Sequence, residues 1–156
     1  MPELTGPTQS FMSNTDVVDT VQRHTLGTRA WDPNGNEYIY MQGVANVIVG
    51  TVVTFDENFV TAEITANAVG RVAVARAIVD AVTEFGWFQI YGESLVTRAD
   101  ATADNTAAYI DGTAGRIDDA VVAGDQVHGM MIRSISAANL CITELNYPYV
   151  DDSTET

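Results

Sequence analysis

The chain has 156 residues, 46% of them hydrophobic, which suits a single domain with a substantial apolar core. Its 21 acidic residues face seven arginines and no lysine, and the net charge of −14 argues against nucleic acid or an anionic membrane as a partner, since both attract clustered basic residues. The absence of lysine also excludes Schiff-base chemistry, a P-loop lysine, and a lipoyl or biotinyl attachment site.

Residues 1–25 form a polar, turn-rich segment. Because such a composition cannot offset its own ordering entropy, we expect an extended N-terminal arm, held by a neighbouring chain or folded back as an edge strand. The segment lacks the basic and apolar blocks of a signal peptide, and the chain has no long uncharged apolar run, so we expect a cytosolic protein without a membrane span. The isolated apolar side chains of the arm are candidate capsid or subunit contacts: Leu4, Phe11, Met12, Val17 and Val18.

From residue 26 onward, short β-prone runs alternate with turn signals, which predicts strands rather than helices. A first hairpin is expected to join residues 28–31 to residues 37–41. Its turn, Asp32-Pro33-Asn34-Gly35, combines a proline that pre-sets φ with two residues that tolerate positive φ.

The next three segments are also predicted as strands. Residues 44–53 are β-branched and apolar on both faces, with a bulge or bend at Gly50. Residues 60–65 alternate apolar and polar side chains, as a half-exposed strand does. Residues 70–83 are ambiguous, because their alanines favour a helix, but alternating valines and an isoleucine favour a strand, and we predict a strand.

The segment at residues 85–92 is the densest aromatic stretch of the chain, with four aromatic residues among eight. Read as a strand, it carries apolar bulk on both faces, so it should be a central strand covered on both sides. Trp87 is then expected in the core, where large aromatic side chains bury most of their area. The alternative is a subunit contact, because Trp and Tyr are enriched in interfaces.

After residue 92 the sequence predicts further strands, and a glycine-rich turn at residues 111–115 closes a second hairpin. Turn signals about eight to twelve residues apart predict an all-β sandwich or barrel of short, mostly antiparallel strands. We expect this β domain to span residues 26–147 and residues 148–156 to form an acidic C-terminal tail. The strands expected here are residues 94–98, 107–110, 116–118, 127–135 and 139–145.

No arrangement of a nucleophile, a base and an orienting group is evident, so we expect no catalytic residue, cofactor or metal. His24 and His128 are far apart in sequence, and Cys141 lies between apolar residues, which predicts a buried, unreactive thiol. The pairs Asp118-Asp119 and Asp151-Asp152 could bind a hard cation, but they lack EF-hand spacing and are typical of solvated surface.

Four segments, in order, carry a likeness to a known family: Leu26-Gly27-Thr28-Arg29, Glu37-Tyr38-Ile39-Tyr40, Phe85-Gly86-Trp87-Phe88-Gln89, and the run from Tyr109 to Asp119. With this spacing over residues 26–145, the chain resembles small virion proteins of tailed bacteriophages that act as capsid decoration or cement proteins. The first 25 residues lie outside the likeness.

The resemblance implies an all-β structural subunit, commonly a homotrimer, on the outer surface of a capsid assembled in the host cytoplasm. Its partners would be the major capsid protein and further copies of itself. It brings no catalytic residue.

Two other function classes are open. The first is a fibre-like β module that binds host glycans through a shallow aromatic and carboxylate site, for which Trp31, Tyr38 and Tyr40 are the candidates. The second is a trimeric all-β enzyme of nucleotide metabolism, which the absence of lysine and of a basic cluster disfavours.

Overall fold

The structure is a computed structural model that describes residues 14–96, 103–137 and 139–153, and these residues form an all-β fold without a helix, as predicted. The pairings between the strands are antiparallel and join them into one hydrogen-bonded sheet. In chain order the strands are β1 (Val18–Asp19), β2 (Arg29–Trp31), β3 (Glu37–Gln42), β4 (Val52–Phe55), β5 (Thr61–Glu63), β6 (Val69–Ala75), β7 (Phe85–Val96), β8 (Thr106–Ile110), β9 (Ile117–Asp118), β10 (Gln126–Ala137) and β11 (Leu140–Asp151).

Strand β7 lies at the centre of the sheet because both of its edges are occupied. One edge pairs with β3 over residues 85–91. The side chains of Trp87, Phe88 and Ile90 are all buried, so the prediction of a central strand covered on both faces is confirmed. The opposite edge pairs with three strands in turn: β1 at residues 85–86, β6 at residues 88–89 and β11 at residues 91–96.

The strand predicted at residues 94–98 is not separate, because β7 continues through Gly92 to Val96. Gly92 has a φ of 96°, in the left-handed region that favours glycine, and a Cβ at this position would overlap the side-chain oxygen of Asn36. The glycine therefore bends a continuous strand instead of ending it. Residues 97–102 lie outside the described residues.

Strands β6, β7 and β11 all pair with one another. β6 pairs with β11 through residues 69–71 and with β7 through residues 74–75. β7 and β11 also pair directly with each other, through residues 91–96 of β7 and 141–146 of β11. Three strands joined in this closed ring cannot share one flat layer. The sheet therefore folds over its apolar side chains, as it does in sandwiches and barrels.

Two apolar clusters lie on either side of β6. Val72 and Val74 enter the first cluster, and Ala73 and Ala75 enter the second, while the neighbouring strand β4 divides its side chains in the same way. Burial on both faces explains why residues 72–75 of β6 are a continuous run of valine and alanine rather than an alternation of apolar and polar residues. A third, smaller cluster consists of four buried residues: Ala30, Tyr38, Tyr40 and Trp87.

The strand predicted for residues 70–83 is confirmed only as far as Ala75. Beyond that point the edge of β7 is occupied by β1, because Val18 pairs with Gly86. With no edge left to pair, the chain leaves the sheet as a loop, which returns Val79 to the second cluster.

The strand predicted for residues 44–53 is wrong over most of its length, since β4 begins only at Val52. The preceding residues form turns in which Asn46 and Gly50 have φ values of 70° and 82°. The apolar character of this segment comes instead from core contacts of the loop, because Val47 is fully buried in the second cluster.

The two predicted hairpins are confirmed as β2–β3 and β8–β9. Residues 148–151, predicted as part of an acidic tail, belong to the sheet, because β11 continues to Asp151. Val150 enters the first cluster, and Asp151 pairs with Val69 of β6. Pro148 stands where β11 is irregular, a position at which a sheet tolerates proline.

Replacing Trp87 by alanine should lower the free energy of unfolding by about 3–5 kcal/mol, because the change opens a cavity in the third cluster. Trp87 is only 6% exposed, whereas Trp31 is 37% exposed. Trp31→Ala is therefore the matched control and should cost about 1 kcal/mol or less. Urea unfolding of both variants measures the difference, and equal stabilities would place Trp87 outside the core.

Candidate interaction surfaces

The end of the predicted arm is attached to its own domain, as the edge-strand alternative expected. Val18 and Asp19 pair with the start of β7. The Asp19 carboxylate is buried and accepts a hydrogen bond of 2.8 Å from the hydroxyl of Tyr40, and the Nε of Arg23 lies 2.8 Å from its other oxygen. A hydroxyl and a guanidinium thus compensate the burial of this carboxylate.

The six predicted contact residues are in different environments. Leu4, Phe11 and Met12 lie outside the described residues. Val17 is exposed, Val18 is half-buried against the second cluster, and Trp87 is buried in the third cluster.

Exposed apolar side chains border the start of β7, and we call them the amino-terminal surface: Val17, Val21, Ile78 and Val82. Each is at least 40% exposed. Two flank β1, and two lie in the loop between β6 and β7. Both segments approach Gly86, because a Cβ on this glycine would lie 3.5 Å from the backbone oxygen of Val17 and 2.6 Å from the side chain of Val79. The sequence could indicate these side chains only as isolated apolar residues.

Of the three glycan-site candidates in the first hairpin, only Trp31 is exposed; Tyr38 and Tyr40 are buried, which corrects that prediction. The Tyr38 hydroxyl donates a hydrogen bond of 2.8 Å to Asp32 in the hairpin turn. Burial would raise the pKa of Asp32, but hydrogen bonds from Asn36, Tyr38 and Asn34 lower it below its usual value. These tyrosines are structural, because they satisfy carboxylates at the turn and at β1.

A second surface lies where β7 and β11 diverge, and we call it the tyrosine face. The rings of Tyr91 and Tyr147 are both exposed, with centroids 5.3 Å apart. The Tyr147 hydroxyl donates a hydrogen bond of 2.5 Å to the buried carboxylate of Glu37, whose other oxygen accepts one of 3.1 Å from Arg29. The bond to Glu37 raises the pKa of Tyr147.

A shallow depression of about 510 Å³ lies beside the ring of Tyr91, and a second depression of about 410 Å³ adjoins the first. Arg133, Glu144 and Asn146 line both depressions and form the ridge between them. The Nε of Arg133 donates a hydrogen bond of 2.7 Å to Glu144. Tyr91 and Glu93 complete one side of the first depression.

The histidines and the cysteine are not brought together. His24 packs on the rings of Tyr40 and Trp87, and His128 stacks on Tyr149. Cys141 is buried as predicted, and burial raises the pKa of its thiol to about 11. Across residues 14–96, 103–137 and 139–153, no group of three or more His, Cys, Asp or Glu side chains could hold a metal ion.

No family model matches the chain, and neither the curated proteins nor the solved structures include a match. In the part of the chain that the structure describes, no helix is long and apolar enough to cross a membrane.

Because the hydroxyl of Tyr38 is buried and hydrogen-bonded, we predict that the protein loses stability at alkaline pH. Burial and the hydrogen bond to Asp32 raise the pKa of Tyr38 to about 12, from about 10 in the unfolded chain. The stabilisation is therefore complete below about pH 10 and is lost as the pH rises through about 12.

Urea unfolding between pH 8 and 12 tests this prediction with Tyr38→Phe. The variant should be less stable at pH 8 by about 1 kcal/mol, because it lacks the hydrogen bond, but should lose less stability on the way to pH 12. Tyr149→Phe, which alters an exposed tyrosine, is the matched control. If the free energy of unfolding changed equally with pH in Tyr38→Phe and in the wild type, the loss of stability could not be attributed to Tyr38.

Proposed function

We propose that the protein is a structural virion protein, a decoration or cement subunit on the outer surface of a tailed-phage head. It bridges major capsid proteins, works as a homotrimer and has no enzymatic activity. The order of its hairpin motifs, which resembles that of known decoration proteins, supports the proposal. So does the all-β fold. The observation that carries it is the amino-terminal surface, where exposed apolar side chains flank β1 and extend into the loop before β7.

Residues 1–13 precede this surface in the sequence and contain apolar side chains of their own, a combination that suits docking onto another protein. The segment would add its contacts to those of the rigid domain, and main-chain hydrogen bonds would contribute affinity if it pairs with an edge strand of the capsid protein. Many subunits on one shell would make weak contacts at the same time, and such multivalent binding resists opening of the shell.

The acidic exterior agrees with this role. A net charge of −14 repels other decorated heads and DNA, which favours solubility of the assembled particle. Contacts with the capsid would then rest on apolar side chains and backbone groups. Immunogold labelling of intact virions tests the location directly, and absence of the protein from the outer surface would overturn the proposal.

Deleting residues 2–13 should leave a folded β domain that no longer remains on the capsid. The deletion stops before Val18 and Asp19, so the pairing of β1 with β7 and the bond from Tyr40 to Asp19 are kept. Deleting residues 2–20 instead should also destabilise the domain by about 1–3 kcal/mol, because the buried Tyr40 hydroxyl loses its acceptor.

Circular dichroism and binding to heads stripped of the protein distinguish the two deletions. Full occupancy by the shorter deletion would remove residues 2–13 from the binding mechanism.

Ile78→Glu and Val82→Glu should each lower occupancy of stripped heads about tenfold or more, because a charge would be buried at the capsid contact. Both side chains are exposed, so the domain itself should melt as the wild type does. Val121→Glu, in the loop between β9 and β10, makes the same change at another exposed apolar position and is the matched control. Equal occupancy for all three variants would place the capsid contact elsewhere.

A further inference from the structure

Four neighbouring strands are irregular at one level of the sheet. Gly92 in β7, Gly129 in β10 and Tyr147 in β11 have φ values of 96°, 73° and 48°, and the register between β3 and β7 shifts beside Glu37. Bulges re-aim side chains and are frequent next to functional sites. Here they leave the rings of Tyr91 and Tyr147 on the outside of the molecule.

The geometry points to an oligosaccharide-binding site at the tyrosine face, and we propose that it takes neutral sugars. A pyranose has an apolar C–H face, which packs on an exposed tyrosine ring, and hydroxyls at its rim. The ridge beside the rings offers matching polar groups, because Arg133 donates hydrogen bonds, Glu144 accepts them and Asn146 does both. An aromatic platform beside convergent polar side chains thus serves both parts of a sugar.

The platform is held in place before any ligand binds. Glu37 is buried, and each of its carboxylate oxygens accepts a hydrogen bond, one from the Tyr147 hydroxyl and one from Arg29. The carboxylate therefore fixes the Tyr147 ring, and that ring packs beside Tyr91. A preorganised site loses less entropy on binding.

The charge of the face selects among sugars. Glu93 lies directly opposite Glu144 on the neighbouring strand, an arrangement of like charges that costs stability. Together with the net charge of −14, these carboxylates disfavour sialylated, sulfated or phosphorylated glycans. Neutral hexoses and N-acetylhexosamines are therefore the sugars that we expect this face to bind.

A peptide fits this face less well. A peptide strand needs a sheet edge with unpaired backbone groups. Under the ridge between the depressions, Glu144 and Leu145 of β11 pair with β7 on one side and with β10 on the other, so the backbone there has no unpaired edge. Along β7 the tyrosine face is also about 20 Å from the amino-terminal surface, so a subunit could use both surfaces at once.

Titration of the full chain with maltotriose, cellotriose and tri-N-acetylchitotriose, together with an array of neutral glycans, tests the proposal through intrinsic fluorescence and NMR shifts. We expect at least one oligosaccharide to bind. Tyr91→Ala should weaken that binding about tenfold, the effect of losing one stacked ring. Glu144→Gln should weaken it as well.

Tyr149→Ala is the matched control, because Tyr149 is 47% exposed, as Tyr91 is at 41%, but lies outside both depressions. Its binding should stay within about twofold of the wild type. Thermal melts confirm that each variant is folded, and each should still occupy stripped heads, which separates this site from the proposed capsid contact.

Either of two results would overturn the proposal: no neutral oligosaccharide binds, or Tyr91→Ala binds the sugar as well as the wild type does. If no sugar binds and Tyr91→Ala also loses head occupancy, the tyrosine face is a protein contact instead.

Discussion

The fold depends on the pairing of β7 along both edges and of β6 with both β7 and β11. Because the three strands form a closed ring, the registers of any two pairs restrict the third. A slip of one residue in β6 would exchange the valines of the first cluster with the alanines of the second. The small alanine side chains could not fill the space left by valine, so packing and hydrogen bonding specify the same register.

The ring also accounts for the position of the tyrosine face. β7 and β11 pair closely along one part of their length, and they must separate where β6 lies between them. The bend at Gly92 and the irregular backbone at Tyr147 lie at this separation. The feature that closes the core therefore also turns two aromatic rings outward, and the buried Glu37 fixes one of them.

Local patterns in the sequence predicted the two hairpins, whose paired strands are close along the chain. They also predicted β7, because its apolar side chains lie on both faces. Alternation shows which side chains share a face but not whether that face is covered. Both faces of β3 are buried, so the exposed site predicted at Tyr38 and Tyr40 is wrong. The tyrosine face could not be predicted, because Tyr147 and Glu37 are separated by 110 positions in the chain. Only the closed ring brings them together.

The distribution of charge restricts how this molecule can bind anything. Arg23, Arg29 and Arg133 are each paired with a carboxylate of the same chain, the first at the attachment of β1 and the other two at the tyrosine face. These ion pairs neutralise the positive charge of the three arginines within the fold, so the surrounding surface stays strongly acidic. Long-range attraction to an anionic partner is unfavourable under these conditions, and salt would screen the repulsion. Binding must then rest on short-range contacts of exposed apolar and aromatic side chains, which the amino-terminal surface and the tyrosine face supply.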